Sequence, residues 1–319
     1  MARTCGIRIG PRRFEIVVLD GGAKKHRIVA FKSGEFPQGG ADPMADAVAA
    51  LKAAIEELKV PLEATSIAID TGLAAFRTLK LPALDEAKIE EILKFEVENQ
   101  LPQWNIDDVV IDFMVLDKTA DETQLLVSAV PKAALKRELD VCSKAGVEPL
   151  EAELEATAMI NAALASDICH VDDAQIIVHI GEASTAVVVV DGGKVRSMRA
   201  IHIGALTHDA AVAAEPAEGA DTEAAAEAAK RNPPSPSQED AQRRMDQVVS
   251  RIRRELGRTL SGARTAHPIQ AIYVCGWELP NLIGTQVLDI PVYELDVFEA
   301  DGGQPAEGAA PLVVAYGVA

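Results

Sequence analysis

Cysteine is sparse in this 319-residue chain: Cys5, Cys142, Cys169 and Cys275, with no Cys-x-x-Cys pair. That scatter excludes a disulfide framework and favours free thiols in a reducing compartment. Cys169-His170 offers half of a metal site, but no second pair stands at ligand spacing, so structural zinc is not expected. Basic residues are also short. Lys and Arg total 31 against 49 Asp and Glu, a net charge of −18, which argues against nucleic acid and against direct adsorption to anionic lipid. The longest apolar runs are about half what a membrane span needs. No charged, apolar, small-residue leader opens the chain, so a protein neither secreted nor self-anchored is expected. There is no G-x-x-x-x-G-K-S/T phosphate loop, and no credible Ser/His/Asp or Cys/His array.

What is present is a repeat. Ile9–Gly22 reads IGPRRFEIVVLDGG and Ile180–Gly193 reads IGEASTAVVVVDGG, aligned without a gap at an offset of 171 residues. One repeat at half the chain length implies a duplicated domain, because solenoid periods are far shorter. Each copy reads as strand, tight glycine turn, strand and hairpin turn. Arg8 and His179 stand just before the two Ile-Gly turns.

Around the repeats the pattern is α/β. The first hairpin leads to a third edge at Arg27–Phe31, a helix from Pro43 to Leu58 and a strand Ser66–Ile69. Leu81–Val130 has a different texture: a helix capped by Asp85 and ending near Leu101, then strands Val109–Leu116 and Gln124–Val130. This reads as an inserted subdomain, about residues 80–131 of a first domain spanning 1–170. Lys132–Ala145 and Glu151–Ala165 read as helices. The second domain, 171–319, opens with the repeat and a paired strand Val195–Ile203. Its subdomain, 208–265, holds a low-complexity stretch (208–240) that buries little, then an arginine-rich helix from Glu239 to Ala263. Arg243, Arg244, Arg251, Arg253, Arg254 and Arg258 lie off its apolar stripe, as a docking surface or a solvated face. A strand Ala271–Cys275 runs into Gly276-Trp277. Pro311–Ala319 looks like the start of a last helix, which suggests a truncated chain or part of a longer protein.

Two such halves resemble the layout of the actin, Hsp70 and sugar-kinase superfamily, duplicated ribonuclease H-like domains. Within it the chain resembles PilM of type IV pilus assembly and the cytoplasmic part of GspL in type II secretion, and more distantly FtsA. The stretch LPALDEAKIEEILKFEVENQLPQWNIDDVVIDFMVL (81–116) carries the resemblance to the inserted subdomain. LVSAVPK (126–132), AGVEPLEAELEA (145–156) and RAIHIGALT (199–207) add to it, and Glu227-Ala228-Ala229-Lys230 resembles the helix that contacts adenosine. The resemblance implies a cytoplasmic protein, peripheral to the inner membrane through a PilN-like partner or a downstream segment. It also implies a partner groove beside the inserted subdomain, with Phe95, Trp104 and Phe113 as candidates.

The departures are specific. ATP-using members carry Asp before each Ile-Gly, to hold the magnesium shell and orient water. Here Arg8 and His179 stand there. A guanidinium about 5 Å from a divalent ion would repel it by roughly 2–7 kcal/mol. In the first turn Gly10 is followed by Pro11-Arg12-Arg13, where proline removes a donor. In the second, Gly181 is followed by Glu182, an anion set against an anion, although Ser184 survives. The expected Gly-Gly of the adenosine strand is Gly276-Trp277. A catalytically inactive protein with no cofactor is therefore expected, with a functional ATP-binding switch as the alternative. Arg8 could instead bind phosphate directly, or Arg8, Arg12 and Arg13 could pair with Glu182 and nearby acids. His179 is a general base or a bonded core residue. A sugar-kinase reading would need Asp70 or Asp172 at the cleft.

Overall fold

The computed structural model describes residues 3–22, 25–83, 85–100, 105–166, 168–207, 238–279, 281–297 and 312–319. Trp104, Glu227, Lys230 and most of the 208–240 stretch lie outside these residues.

Alternating and wholly apolar runs make two sheets of the same plan. In the first, β1 (Arg3–Ile9), β2 (Arg13–Gly22) and β3 (Lys25–Glu35) form an antiparallel meander, and β4 (Ala64–Ile69) and β8 (Glu151–Leu154) extend it in parallel, in the order β3-β2-β1-β4-β8. In the second, β9 (Ala174–Ile180), β10 (Thr185–Asp191) and β11 (Lys194–Ile201) repeat the meander. There β12 (Ile269–Gly276) and β14 (Ile290–Glu294) add the parallel strands, with β13 (Gln286–Val287) outermost. The repeat is thus structural. Gly10 N–H donates to Arg13 C=O at 2.8 Å and Gly181 N–H to Ser184 C=O at 2.9 Å, closing the same four-residue turn twice.

Between β5 (Ala75–Pro82) and the return to the first sheet stands the inserted subdomain. Strands β5, β7 (Glu122–Pro131) and β6 (Val109–Lys118) make a three-stranded sheet in that order. Helix α2 (Glu86–Gln100) covers one face, burying Ile89, Leu93 and Val97 against Leu79, Leu81, Leu125 and Val127. As expected, Asp85 caps it, accepting from Lys88 N–H at 3.0 Å. The block begins earlier than the sequence suggested, because β5 already belongs to it.

Helix α1 (Pro43–Leu58) starts on an Asp42 side-chain cap and lays Ala47, Leu51 and Ala54 on the first sheet with α3 (Lys132–Lys144). The helix expected from Glu151 is a strand for four residues. Glu151–Leu154 pairs with β4, and α4 (Glu155–Ala165) begins only afterwards. Sheet pairing overrides the helical propensity of that Glu/Ala-rich stretch. Helix α5 (Gln238–Gly262) packs Val248, Val249, Ile252 and Leu256 on the second sheet.

Domain assignment by chain order needs one correction. The last helix, α6 (Val313–Val318), packs on β1, β2 and β4 of the first half, while α4 packs on β9 and β10 of the second. These two helices lie side by side between the sheets. There a single core joins Val17, Leu19 and Ala68 to Ile177, Val188 and Val190. The approach is close. A Cβ on Gly317 would lie 1.8 Å from Ala158 O, and one on Gly6 1.9 Å from Ala315 O. Cys5, Cys142 and Cys275 are buried and Cys169 is half-buried, all as free thiols.

Candidate functional site

The two Ile-Gly turns face each other where the halves meet, and this is the cleft that the sequence points to. Hairpin register sets Arg8 on β1 directly across from Glu15 on β2. Burial of that cross-strand pair requires the charges to meet. Arg8 Nη1 donates to both Glu15 oxygens at 3.1 Å, and its Nε donates to Glu155 Oε1 at 2.5 Å from the first turn of α4. His179 Nδ1 lies 3.3 Å from Glu155 Oε2, in a geometry too poor for a hydrogen bond. All four side chains are buried.

The turn beyond carries the decisive contact. Arg12 backbone N–H donates to Glu182 Oε2 at 2.9 Å, and Arg13 Nε stands 3.8 Å from Glu182 Oε1. The carboxylate of Glu182 thus takes up a backbone donor of the first turn. Gly10 permits this closeness, since a Cβ there would lie 3.0 Å from Glu182 Oε2. Arg13 in turn lies over Trp277, its guanidinium carbon 3.8 Å from the ring centroid, a cation–π contact. Gly276 turns in the left-handed region (φ 93°), and a Cβ there would strike the His179 ring at 2.7 Å, so the chain passes tightly over the cleft.

A second link crosses the halves. Ser184 Oγ donates to Asp70 Oδ1 at 2.5 Å, and Asp70 also accepts from Gly72 N–H at 2.7 Å. Thr71 Oγ1 accepts from Ala156 N–H at 2.9 Å. Asp70 therefore sits at the junction, whereas Asp172 is exposed in the turn before β9.

The electrostatics are those of a closed set. Burial penalises the Arg8 cation, but Glu15, Glu155 and Glu182 together hold it charged and push its pKa up. Glu155 feels the same burial, which Arg8 and His179 outweigh, so its carboxyl lies well below the usual range. Burial raises Glu15 and Glu182, with Arg8 opposing in both. The space left among Arg8, Arg13, Glu15, His179, Glu182 and Trp277 is about 170 Å³, open solvent included.

The structure brings Arg8, Gly10, Arg12, His179, Gly181, Glu182, Ser184, Gly276 and Trp277 together. Glu15 and Glu155 were not singled out from the sequence. Their signal was a lone acid in an apolar strand opposite Arg8, and a lone acid opening an apolar helix. Among the described residues, no three His, Cys, Asp or Glu are grouped to hold a metal ion. Phe113 is half-buried on the α2-facing side of β6. Phe95 points the other way, 70% exposed.

Two halves of one sheet order, joined at facing hairpins and carrying an inserted subdomain, define an actin-like protein. Residues 6–281 match the family model of the type IV pilus assembly protein PilM, and the chain belongs to that family. Among solved structures it is similar to a PilM-PilN type IV pilus biogenesis complex, at 22% identity and TM-score 0.78 over 99% of this chain and 97% of that one. It is similar also to the ethanolamine utilization protein EutJ of Carboxydothermus hydrogenoformans, at 15% identity and TM-score 0.51 over 100% and 89%. The cytoplasmic domain of EpsL, an inner membrane component of the type II secretion system of Vibrio cholerae, gives 11% identity and TM-score 0.43 over 69% and 79%. A comparison with curated protein sequences gives no match. No helix among the described residues is long and apolar enough to cross a membrane.

Proposed function

We propose that this chain is a cytoplasmic scaffold of the pilus assembly platform, with a nucleotide cleft sealed by its own side chains, that holds a PilN-like inner-membrane partner. The observation that carries this reading is the Arg12 N–H to Glu182 bond, backed by the Arg8–Glu15–Glu155 set. A triphosphate entering here would meet three carboxylates. It would also have to break buried pairs whose loss costs about 3–5 kcal/mol. The partner assignment rests on family membership and on the complex formed by the similar PilM. Its tail would lie beside the inserted sheet, where edge strand β6 exposes Val115 on the same face as the half-buried Phe113. Phe95, on the far side of α2, belongs to another surface.

Titration with a fluorescent ATP analogue, with and without magnesium, while following the melting temperature, tests the sealed cleft. A micromolar site at millimolar ligand would add about 4 kcal/mol of stability. No shift is expected, and a magnesium-dependent shift makes the protein an ATP switch instead. For the partner, Val115→Arg should weaken capture of a PilN-like cytoplasmic peptide by about tenfold at unchanged melting temperature. Unimpaired capture removes β6 from the interface.

A further inference from the structure

Backbone strain in this protein gathers away from the cleft. Of the four non-glycine residues with positive φ among those described, Asn281 (61°), Leu288 (47°) and Asp289 (67°) fall in one surface segment, and the fourth, Lys59, merely ends α1. Leu288-Asp289 is the two-residue connection from β13 to β14, with Val287 paired to Ile290. Such a turn needs left-handed backbone at both positions and usually takes Asn-Gly. A leucine there is strained, yet it is 61% exposed. It is held in place nonetheless. Arg253 donates to Asn281 O, to Thr285 Oγ1 at 2.7 Å and to Gln286 O at 3.2 Å. The Leu288 side chain reaches over Gly257, whose missing Cβ would lie 3.7 Å from Leu288 Cδ1. Packing over Gly257 accounts for one side of this clamped, strained leucine and leaves the rest of it facing solvent.

Apart from exposed Asp289 in the same turn, its neighbours on the facing side of α5 are basic. Arg254 stands one helical turn from Gly257 on the same side of α5, and Arg251 a turn further. Both are exposed, with no ion pair among the described residues. Arg258, on the same stripe, pairs only within the helix, with Glu255. Exposed Ile283 adds apolar area. The inserted subdomain shows the converse. On the outer face of α2, Phe95 is flanked by exposed Glu91 four residues before and Glu98 three residues after. Glu91 and Glu98 are seven residues apart, as are Arg251 and Arg258, and each interval rises about 10 Å along its helix.

We propose that these two surfaces are the complementary ends of a head-to-tail contact between copies of this chain, with Phe95 set beside Leu288 and Ile283, and Glu91 and Glu98 facing the α5 arginines. A second copy is the occupant because one chain carries both partners of the match. A basic apolar patch on a chain of net charge −18 also finds its acidic complement there. The surfaces lie on different halves, so the contact is heterologous and extends to further copies instead of closing as a dimer. It does not depend on the state of the cleft.

Sedimentation velocity on the purified chain, up to about 100 μM, tests this, since small interfaces of this kind bind in the micromolar range. Association that grows with concentration and falls as salt rises from about 0.05 to 0.5 M is expected. Arg251→Glu with Arg254→Glu, or Glu91→Arg with Glu98→Arg, should each weaken it at least tenfold. Phe95→Ser should do the same. Mixing the two charge-reversed proteins should restore association as alternating copies, because each face of one then meets an oppositely charged face of the other. All these residues are exposed, so unchanged melting temperatures confirm folding. A wild-type chain monomeric throughout overturns the proposal. So does association unaffected by these variants, or an α5 face that takes up an acidic peptide while the chain stays monomeric.

Discussion

At the scale of single residues, Arg8 binds the cleft together and Glu138 works against it. Replacing Arg8 with Met leaves Glu15 and Glu155 buried without their cation, and a loss of about 3–5 kcal/mol is expected by chemical denaturation. The triple variant Arg8→Met, Glu15→Gln, Glu155→Gln should recover much of it, because of the carboxylates around Arg8 only Glu182 then stays charged, and it keeps the Arg12 N–H and Arg13. Failure to recover would mean that shape, and not charge, is what Arg8 supplies. Glu138 on α3 is buried with one oxygen unpartnered, and burial, with Asp70 adding and Arg137 opposing, pushes its pKa up to about 7. A carboxyl raised in the folded state binds its proton more tightly there. It therefore costs nothing below pH about 4.5, costs progressively more as pH rises, and costs the full amount above about 7. Glu138→Gln should raise stability at pH 8 by up to about 3 kcal/mol and change little at pH 4.5, as read by melts at the two values. An equal effect at both would refute the titration. Glu155 has the opposite sign. Its depressed pKa adds stability above the unfolded value, and that stability is lost as pH falls.

At the scale of elements, the sequence made the hairpins legible because a gapless repeat, a glycine turn and an Asp-Gly-Gly end are local signals. Helix α1 announced itself in the same way, through its apolar stripe. The strand Glu151–Leu154 was not legible: Glu and Ala favour helix, and only pairing with β4, more than eighty residues away in sequence, makes it extended. Arg8 and His179 could be placed from the repeat, but their partner Glu155 could not, since it arrives from a helix 147 residues on. The seat of α6 was equally hidden, for it depends on Gly6 and Gly317 meeting other backbones. Gly317→Ala should cost about 1–3 kcal/mol or more by overpacking α6 against α4, measured as a lower denaturation midpoint. A neutral result would show that the two helices can separate freely.

At the scale of the molecule, each sheet is covered by a helix whose chain position belongs to the other half, and one core runs through both. The halves should therefore unfold together. Calorimetry should give one transition with calorimetric and van't Hoff enthalpies in agreement. Two resolved transitions would show that the shared core and the Ser184–Asp70 link hold the halves only loosely.

The hidden thiols give such motions a clock. Burial pushes Cys5 and Cys142 up to about 12, and half-buried Cys169 up to about 11, while Cys275 lies higher still. Almost no thiolate is available to an alkylating reagent while the sheets stay shut. Cys5 and Cys142 sit in the first half and Cys275 in the second. Mass spectrometry of slowly alkylated protein would therefore time the opening of the first half at Cys5 and Cys142 against that of the shared core at Cys275, with the wild-type sequence as its own reporter.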